Sequence, residues 1–137
     1  LSLEYKLPIV IHTRKAIPET IDVVKEYVPM GIRGIFHCFG GTLEQAEAII
    51  DAGFYLGIGG VLTYKKSGLA EVLEKIDLEY MVLETDAPYL TPEPFRGKRN
   101  ESSYLKYIAA KLALVKNVPV EEIEAVTTAN AEKIFGL

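Results

Sequence analysis

Residues 82–89 read Val-Leu-Glu-Thr-Asp-Ala-Pro-Tyr, and this stretch sets the fold of the chain. Its apolar start continues from Tyr80 and predicts a buried β-strand that ends at two carboxylates, Glu84 and Asp86. Successive side chains of a strand alternate between its faces, so we expect both carboxylates on the same side. Ala87-Pro88 ends the strand, because proline has no N–H to donate to a ladder. Two acids at the end of a buried strand require a cationic partner.

The sequence before this stretch alternates between strand and helix patterns. Apolar runs of strand length lie at residues 8–11, 34–36 and 54–58. A segment with the spacing of an amphipathic helix follows each run, at roughly 20–27 residues per unit. Such alternation is typical of right-handed βαβ units in a parallel sheet. The sequence therefore predicts an α/β fold with four parallel strands and closing helices.

The helices have recognisable ends in the sequence. Thr42 with Gln45 forms a capping box that opens one of them, and Gly53 stops it. A break is expected within the last helix, near Thr127-Thr128. The predicted helices span residues 18–28, 43–52, 67–75, 103–116 and 120–135.

The composition describes a single globular domain spanning residues 1–137. The chain is 49% hydrophobic and 25% charged with a net charge of −4, which excludes disordered and collagen-like classes. No apolar run approaches the ~20 residues of a membrane span, and no signal-peptide pattern is present, so no membrane contact is expected. One cysteine, Cys38, excludes an internal disulfide and favours a reducing compartment, the cytoplasm. The first residues, which lack a methionine, resemble the end of a helix, and we expect a partial domain.

The chain has only two histidines, His12 and His37, and each follows a predicted strand. The carboxyl ends of parallel strands share one face of an α/β domain, so the fold is expected to bring both histidines to Asp86. Two neutral imidazoles and a carboxylate make a divalent-metal site of catalytic type, with room for water. The alternative is that each histidine is a hydrogen-bonded structural residue, the commoner role at a strand end.

A basic loop follows the strand that carries the acids. Arg96, Lys98 and Arg99 place three cations within four residues, which suits a phosphate grip because arginine offers bidentate hydrogen bonds. Arg14, two residues beyond His12, is expected on the same face. The alternative is a solvated loop. The mild overall acidity argues against a large sequence-independent nucleic-acid surface and leaves room for such a local patch.

Two further features have structural interpretations. Residues 57–60, Gly-Ile-Gly-Gly, lack the third glycine and the spacing of a dinucleotide-binding motif, so they favour close packing of the backbone. Cys38 is expected to be a small buried residue, since its side chain faces away from that of its strand neighbour.

Several stretches, taken together, resemble one protein family along essentially the whole chain. The most specific are Glu-Thr-Asp-Ala-Pro-Tyr-Leu at residues 84–90 and Arg-Gly-Lys-Arg-Asn at residues 96–100. They resemble the TatD family of metal-dependent deoxyribonucleases. The matching stretches are residues 7–14, 36–41, 83–90, 96–101, 127–131 and 135–137.

The resemblance implies a (β/α)8 barrel, of which this chain would form the second half, with strands five to eight and the closing helices. It also implies a two-metal site similar to that of amidohydrolases, holding Mg, Mn or Zn, that hydrolyses phosphodiester bonds of DNA. His12 and His37 would ligate one metal, and Asp86 would contribute to the other and orient the attacking water. Glu84 would support these ligands or transfer a proton.

The resemblance further implies that substrate phosphates are held by the basic loop, with Asn100 joining its cations. The family's amino-terminal half supplies a His-x-His pair and a bridging glutamate, and neither is present in this sequence. With only half of the family's metal ligands, this chain is expected to bind metal weakly or with an incomplete coordination shell. A half-barrel also leaves two strand edges and an apolar inner face open, so we expect association with the missing half or with a second copy. Two alternatives stand beside the nuclease: a catalytically silent assembly module, and an amidohydrolase-like enzyme acting on a small substrate.

Overall fold

Four short parallel strands lie in the sheet in the order in which they occur in the chain. This order is that of a barrel segment, whereas a doubly wound sheet reverses its strand order at a switch point. The prediction of an α/β fold with four parallel strands is confirmed. In the computed structural model, which describes residues 1–137, the strands are β1 (Ile9–His12), β2 (Gly34–His37), β3 (Phe54–Ile58) and β4 (Met81–Leu83).

Six helices accompany the strands, and the capping box opens the third of them. The Thr42 hydroxyl accepts from the backbone N–H of Gln45 at 3.3 Å, and the side-chain oxygen Oε1 of Gln45 accepts from the Thr42 N–H at 3.0 Å. The helices are α1 (Ser2–Tyr5), α2 (Ile17–Tyr27), α3 (Leu43–Asp51), α4 (Leu69–Glu74), α5 (Leu105–Lys116) and α6 (Val120–Phe135).

The expected break in the last helix is wrong. α6 continues without interruption from Val120 to Phe135. The hydroxyl of Thr127 donates to the carbonyl of Ile123, one turn earlier, at 2.8 Å. Because this hydrogen bond stays within the helix, the threonine does not pull the backbone into a turn.

The main core lies between one face of the sheet and the helices. Phe36, Leu56 and Met81 are fully covered on this face, where they pack with apolar residues of α2 to α6. The core reaches to the carboxyl end of β3 through Ile58. This packing fixes the strand ends that carry the polar residues.

The opposite face of the sheet corresponds to a barrel interior, and it is partly covered. Ile35 and Val82 pack against Ile134 of α6, and all three are buried. The side-chain amide of Asn130 fastens α6 there by donating to the Leu78 and Met81 carbonyls. The expectation that the apolar inner face is open is therefore wrong for Ile35 and Val82, because α6 covers it.

The edge strand β1 remains uncovered. Val10 is 58% exposed, although its partner in the register, Ile35, is buried. The edge thus presents both an apolar side chain and the unpaired side of a strand. Separately, none of the helices has the length and apolarity that crossing a lipid bilayer requires.

Candidate metal and phosphate site

His37 and Glu84 are joined at the carboxyl end of the sheet. Beyond the end of β4, the Glu84 N–H still donates to the Ile58 carbonyl at 3.0 Å, so the ladder positions this residue. Glu84 Oε1 lies 2.8 Å from Nδ1 of His37 and accepts the Cys38 N–H at 2.8 Å. One carboxylate oxygen therefore orients the imidazole and fixes the backbone that follows it.

Asp86 meets the other nitrogen of the same ring. Its Oδ1 lies 3.3 Å from Nε2 of His37. The expectation that Glu84 and Asp86 lie on one side of the chain is confirmed, since both contact a single imidazole. The opposed carboxylates leave His37 no freedom to rotate without losing a partner.

The glycines of residues 57–60 make room for this arrangement. A Cβ on Gly57 would collide with Oε2 of Glu84, and a Cβ on Gly60 would collide with the Leu90 carbonyl. The prediction that these glycines allow close packing is confirmed. Any side chain at position 57 would displace the carboxylate that holds His37.

Burial at this site disfavours the charged forms of Glu84 and Cys38. Burial raises the pKa of Glu84, while His37 and the Cys38 N–H oppose that rise by stabilising the carboxylate. Burial, followed by the charges of Glu84 and Asp86, raises the pKa of the Cys38 thiol to about 11. Cys38 is only partly buried, against our expectation, because a backbone φ of 49° takes it out of the strand.

His12 stands apart from the contacts made by His37. The two residues are paired in the register, and their ring centroids are 5.8 Å apart. No three His, Cys, Asp or Glu side chains converge closely enough to surround a metal ion. The predicted centre of His12, His37 and Asp86 is therefore not assembled by this chain alone. The physical reason is that His37 turns to its two carboxylates, while His12 lies exposed on the edge strand.

His37 and Asp86 nevertheless fit a cation. Because Glu84 accepts the Nδ1–H, a neutral His37 presents the lone pair of Nε2 to Oδ1 of Asp86. Two electron-rich atoms face each other favourably only with a proton or a metal ion between them. A separation of 3.3 Å is also that of two ligands on one tetrahedral ion with bonds of roughly 2.0 Å.

The basic loop is exposed and its cations lack acidic partners. Arg96, Lys98 and Arg99 are solvent-accessible, and no carboxylate lies within 4.0 Å of their charged groups. The Arg96 guanidinium lies 3.9 Å from the centroid of the Tyr64 ring, which leaves its N–H edges free. Arg14 is also exposed.

Asn100 does not fit the role of a phosphate contact. It is 2% exposed, and its amide donates to the Tyr89 carbonyl at 2.6 Å while its oxygen accepts the Glu101 N–H at 2.9 Å. Both polar atoms are thus used inside the loop. The correction follows from burial: Asn100 shapes the loop that presents the cations.

Sequence patterns gave no indication of Tyr64. Its ring lies under Arg96, and its hydroxyl donates to the Thr91 carbonyl at 3.1 Å. Tyr64 follows β3, whereas its partners follow β4. Only the fold brings them together.

A family model matches all but the last residue of the chain. The model described as "TatD related DNase" covers residues 1–136. The chain belongs to the TatD family. The crystal structure of YJJV, a TatD homolog from Escherichia coli that is 28% identical in sequence, aligns with 99% of this chain at a TM-score of 0.93. The parallel βα units of this TatD chain are therefore those of a (β/α)8 barrel.

TatD relatives with curated names share this half. YabD of Bacillus subtilis, named an uncharacterized metal-dependent hydrolase, is 43% identical over 98% of the chain and 53% of its own length. The 3'-5' ssDNA/RNA exonuclease TatD of Erwinia tasmaniensis is 33% identical over 100% of the chain and 55% of its own length. The chain spans about half the length of the curated relatives it matches, and it covers 52% of the YJJV structure.

Proposed function

We propose that this TatD-family chain forms half of the active site of a metal-dependent hydrolase that cleaves phosphodiester bonds of DNA. The observation that carries the proposal is the row of contacts from Glu84 through His37 to Asp86. A carboxylate that fixes the Nδ1–H of a histidine and leaves Nε2 for the metal is the usual arrangement around a metal-ligating imidazole, and here Nε2 faces the carboxylate of Asp86. A structural histidine would need only one such partner.

His37 and Asp86 would hold a divalent cation, with His12 beside them. Such a cation supplies Lewis acidity toward the phosphate and the attacking water. Glu84 keeps the imidazole in the tautomer whose Nε2 lone pair is free. Both side chains of this contact are partly buried, which limits competition from water and helps to keep the ring oriented as substrate enters and leaves.

The unpaired cations support a phosphodiester substrate. Arg96, Lys98 and Arg99 carry positive charge, and none of them forms an ion pair with an acidic residue of the chain. Arg14, which is also exposed, adds to this charge. Phosphate oxygens accept hydrogen bonds from such groups at no cost in broken ion pairs. The printed name of the Erwinia tasmaniensis relative, an exonuclease of single-stranded DNA and RNA, agrees with this substrate class.

The remaining ligands would come from outside the described chain. We propose that the exposed edge of β1 pairs with strands corresponding to the half of the relatives that this chain does not cover. Two observations support this occupant. The chain covers 52% of the length of YJJV and 53% of that of YabD, and Val10 is exposed at that edge. Pairing there would satisfy the strand edge and bring further ligands beside His12.

The decisive test is cleavage of single-stranded DNA with Mg²⁺ or Mn²⁺, with an Asp86→Asn variant as control. Activity in the parent that disappears in Asp86→Asn and on chelation supports the proposal. A chain that stays silent even with the uncovered part of YabD added would instead be an assembly module.

A second comparison separates the substrate classes. Replacing Lys98 and Arg99 with alanine should reduce cleavage of DNA much more than cleavage of a small phosphodiester, because only the polymer brings additional phosphates to the loop. Equal loss on both substrates would favour an amidohydrolase-like enzyme of small molecules.

A further inference from the structure

Tyr89 lies three residues beyond Asp86 and exposes 70% of its surface. Its ring belongs to neither hydrophobic cluster of the fold, and it makes no contact that orients His37. Isolated exposed apolar residues are common on protein surfaces, so exposure alone assigns it no role. Its backbone and its neighbours do.

The backbone of Tyr89 is fixed on both sides of its peptide unit. Its N–H donates to the Asp86 carbonyl at 2.7 Å, which closes a turn. Its carbonyl accepts the side-chain amide of the buried Asn100 at 2.6 Å. A ring carried on an ordered backbone loses less conformational entropy when it binds a ligand.

The same asparagine ties the ring to the basic loop. The Asn100 N–H donates to the Pro88 carbonyl at 3.0 Å, and Asn100 directly follows Arg99. One buried residue thus joins the segment with the exposed ring to the segment with the unpaired cations. A planar ring beside free positive charges complements a single-stranded nucleic acid, which offers unstacked bases and phosphates together.

We propose that Tyr89 stacks on a base of the strand whose phosphodiester lies at His37 and Asp86. This inference rests on the proposed function and names the part of the substrate that the ring recognises. The turn from Asp86 to Tyr89 brings their Cα atoms within roughly 7 Å, so the base and the phosphodiester belong to the same or to adjacent nucleotides. Bases in a duplex are already stacked, and Tyr89 therefore selects for single strands.

The test measures binding by fluorescence anisotropy with a labelled oligothymidylate in EDTA, where no cleavage occurs. A second probe is a phosphodiester chain of equal length that carries abasic sites. Tyr89→Ala should weaken binding of the oligothymidylate by about 5- to 150-fold and leave the abasic chain unaffected. Tyr89→Phe should restore binding, because it keeps the ring.

Tyr5→Ala is the matched control, since Tyr5 is 62% exposed on α1, at the amino end of the sheet. It should bind both probes like the parent. The variant in which Lys98 and Arg99 are alanine should lose affinity for both probes, which reports the phosphate grip separately.

Two results would overturn the inference alone. Tyr89→Ala could bind the oligothymidylate as tightly as the parent, or it could lose the abasic chain equally, which would indicate a role in packing. Binding of neither probe by the parent would overturn the proposed function together with the inference.

Discussion

Oε1 of Glu84 lies 2.8 Å from Nδ1 of His37, and the other oxygen of the same carboxylate lies against Gly57. The orientation of the imidazole at the end of β2 therefore depends on Glu84, which follows β4. Because glycine has no side chain, Gly57 of β3 leaves the space that this carboxylate occupies. Three consequences of this arrangement can be measured, together with one of the buried Asn100 and one of the open sheet edge.

Gly57→Ala should displace Glu84 and release His37. A Cβ at this position collides with Oε2 of Glu84, so we expect a loss of about 1–3 kcal/mol in the free energy of unfolding, measured with urea. With only two histidines in the chain, the ring resonances of His37 can be followed by NMR and should shift. Gly40→Ala is the control, because a Cβ there meets nothing within 4 Å. Parent-like histidine spectra in Gly57→Ala would contradict the arrangement.

Glu84→Gln separates the charge of the carboxylate from its hydrogen bonds. Glutamine keeps an oxygen that can accept from His37 and from the Cys38 N–H. Metal affinity should fall by roughly 10- to 100-fold, because the imidazole becomes a weaker ligand. Calorimetric titration with Mn²⁺ measures this loss, and unchanged affinity would remove Glu84 from the metal site.

The same variant should change how stability depends on pH in the absence of metal. Burial raises the pKa of Glu84 above its ordinary value of 4.5, so the folded chain holds the proton more tightly than the unfolded chain. The stability contributed by this group is present below pH 4.5 and decreases as the pH rises through the folded pKa. The free energy of unfolding of Glu84→Gln minus that of the parent should therefore increase with pH over this window. A difference that decreases would show that the contacts with His37 and Cys38 dominate.

The strands and the common side of the two acids were predictable because they follow from local patterns. Alternation along one strand places Glu84 and Asp86 on one side, and the apolar runs locate each neighbouring strand. The partner of His37 was not predictable in the same way. Its two nitrogens could face a metal or the carboxylates, and that choice depends on three-dimensional packing at Gly57. The role of Asn100 was hidden for a similar reason, since a polar residue in a basic loop gives no sign that its side chain is buried.

Asn100→Ala should open the basic loop without unfolding the domain. The variant loses the hydrogen bonds to Tyr89 and Glu101, which costs about 1–3 kcal/mol for the groups left unpaired. Trypsin cleaves after arginine and lysine, so limited proteolysis at Arg96, Lys98 and Arg99 should accelerate.

Asn130→Ala is the control for that loop. It also removes two hydrogen bonds of a buried asparagine, those to the carbonyls of Leu78 and Met81, but at the amino end of β4. Its cleavage in the basic loop should match that of the parent. Equal acceleration in both variants would mean that trypsin reports global unfolding.

Val10→Lys should prevent pairing at the edge of β1. Val10 is 58% exposed beside the unpaired side of that strand, and a charge there disfavours addition of another strand. Sedimentation of the parent with the uncovered part of YabD should show a complex of one copy of each, and Val10→Lys should not form it. Leu114→Lys, at an apolar position 78% exposed on α5, is the control that should still assemble. A parent that stays monomeric in the mixture, or that forms only a dimer of itself, would contradict the proposed occupant, because the edge would then be stable alone or would select a second copy.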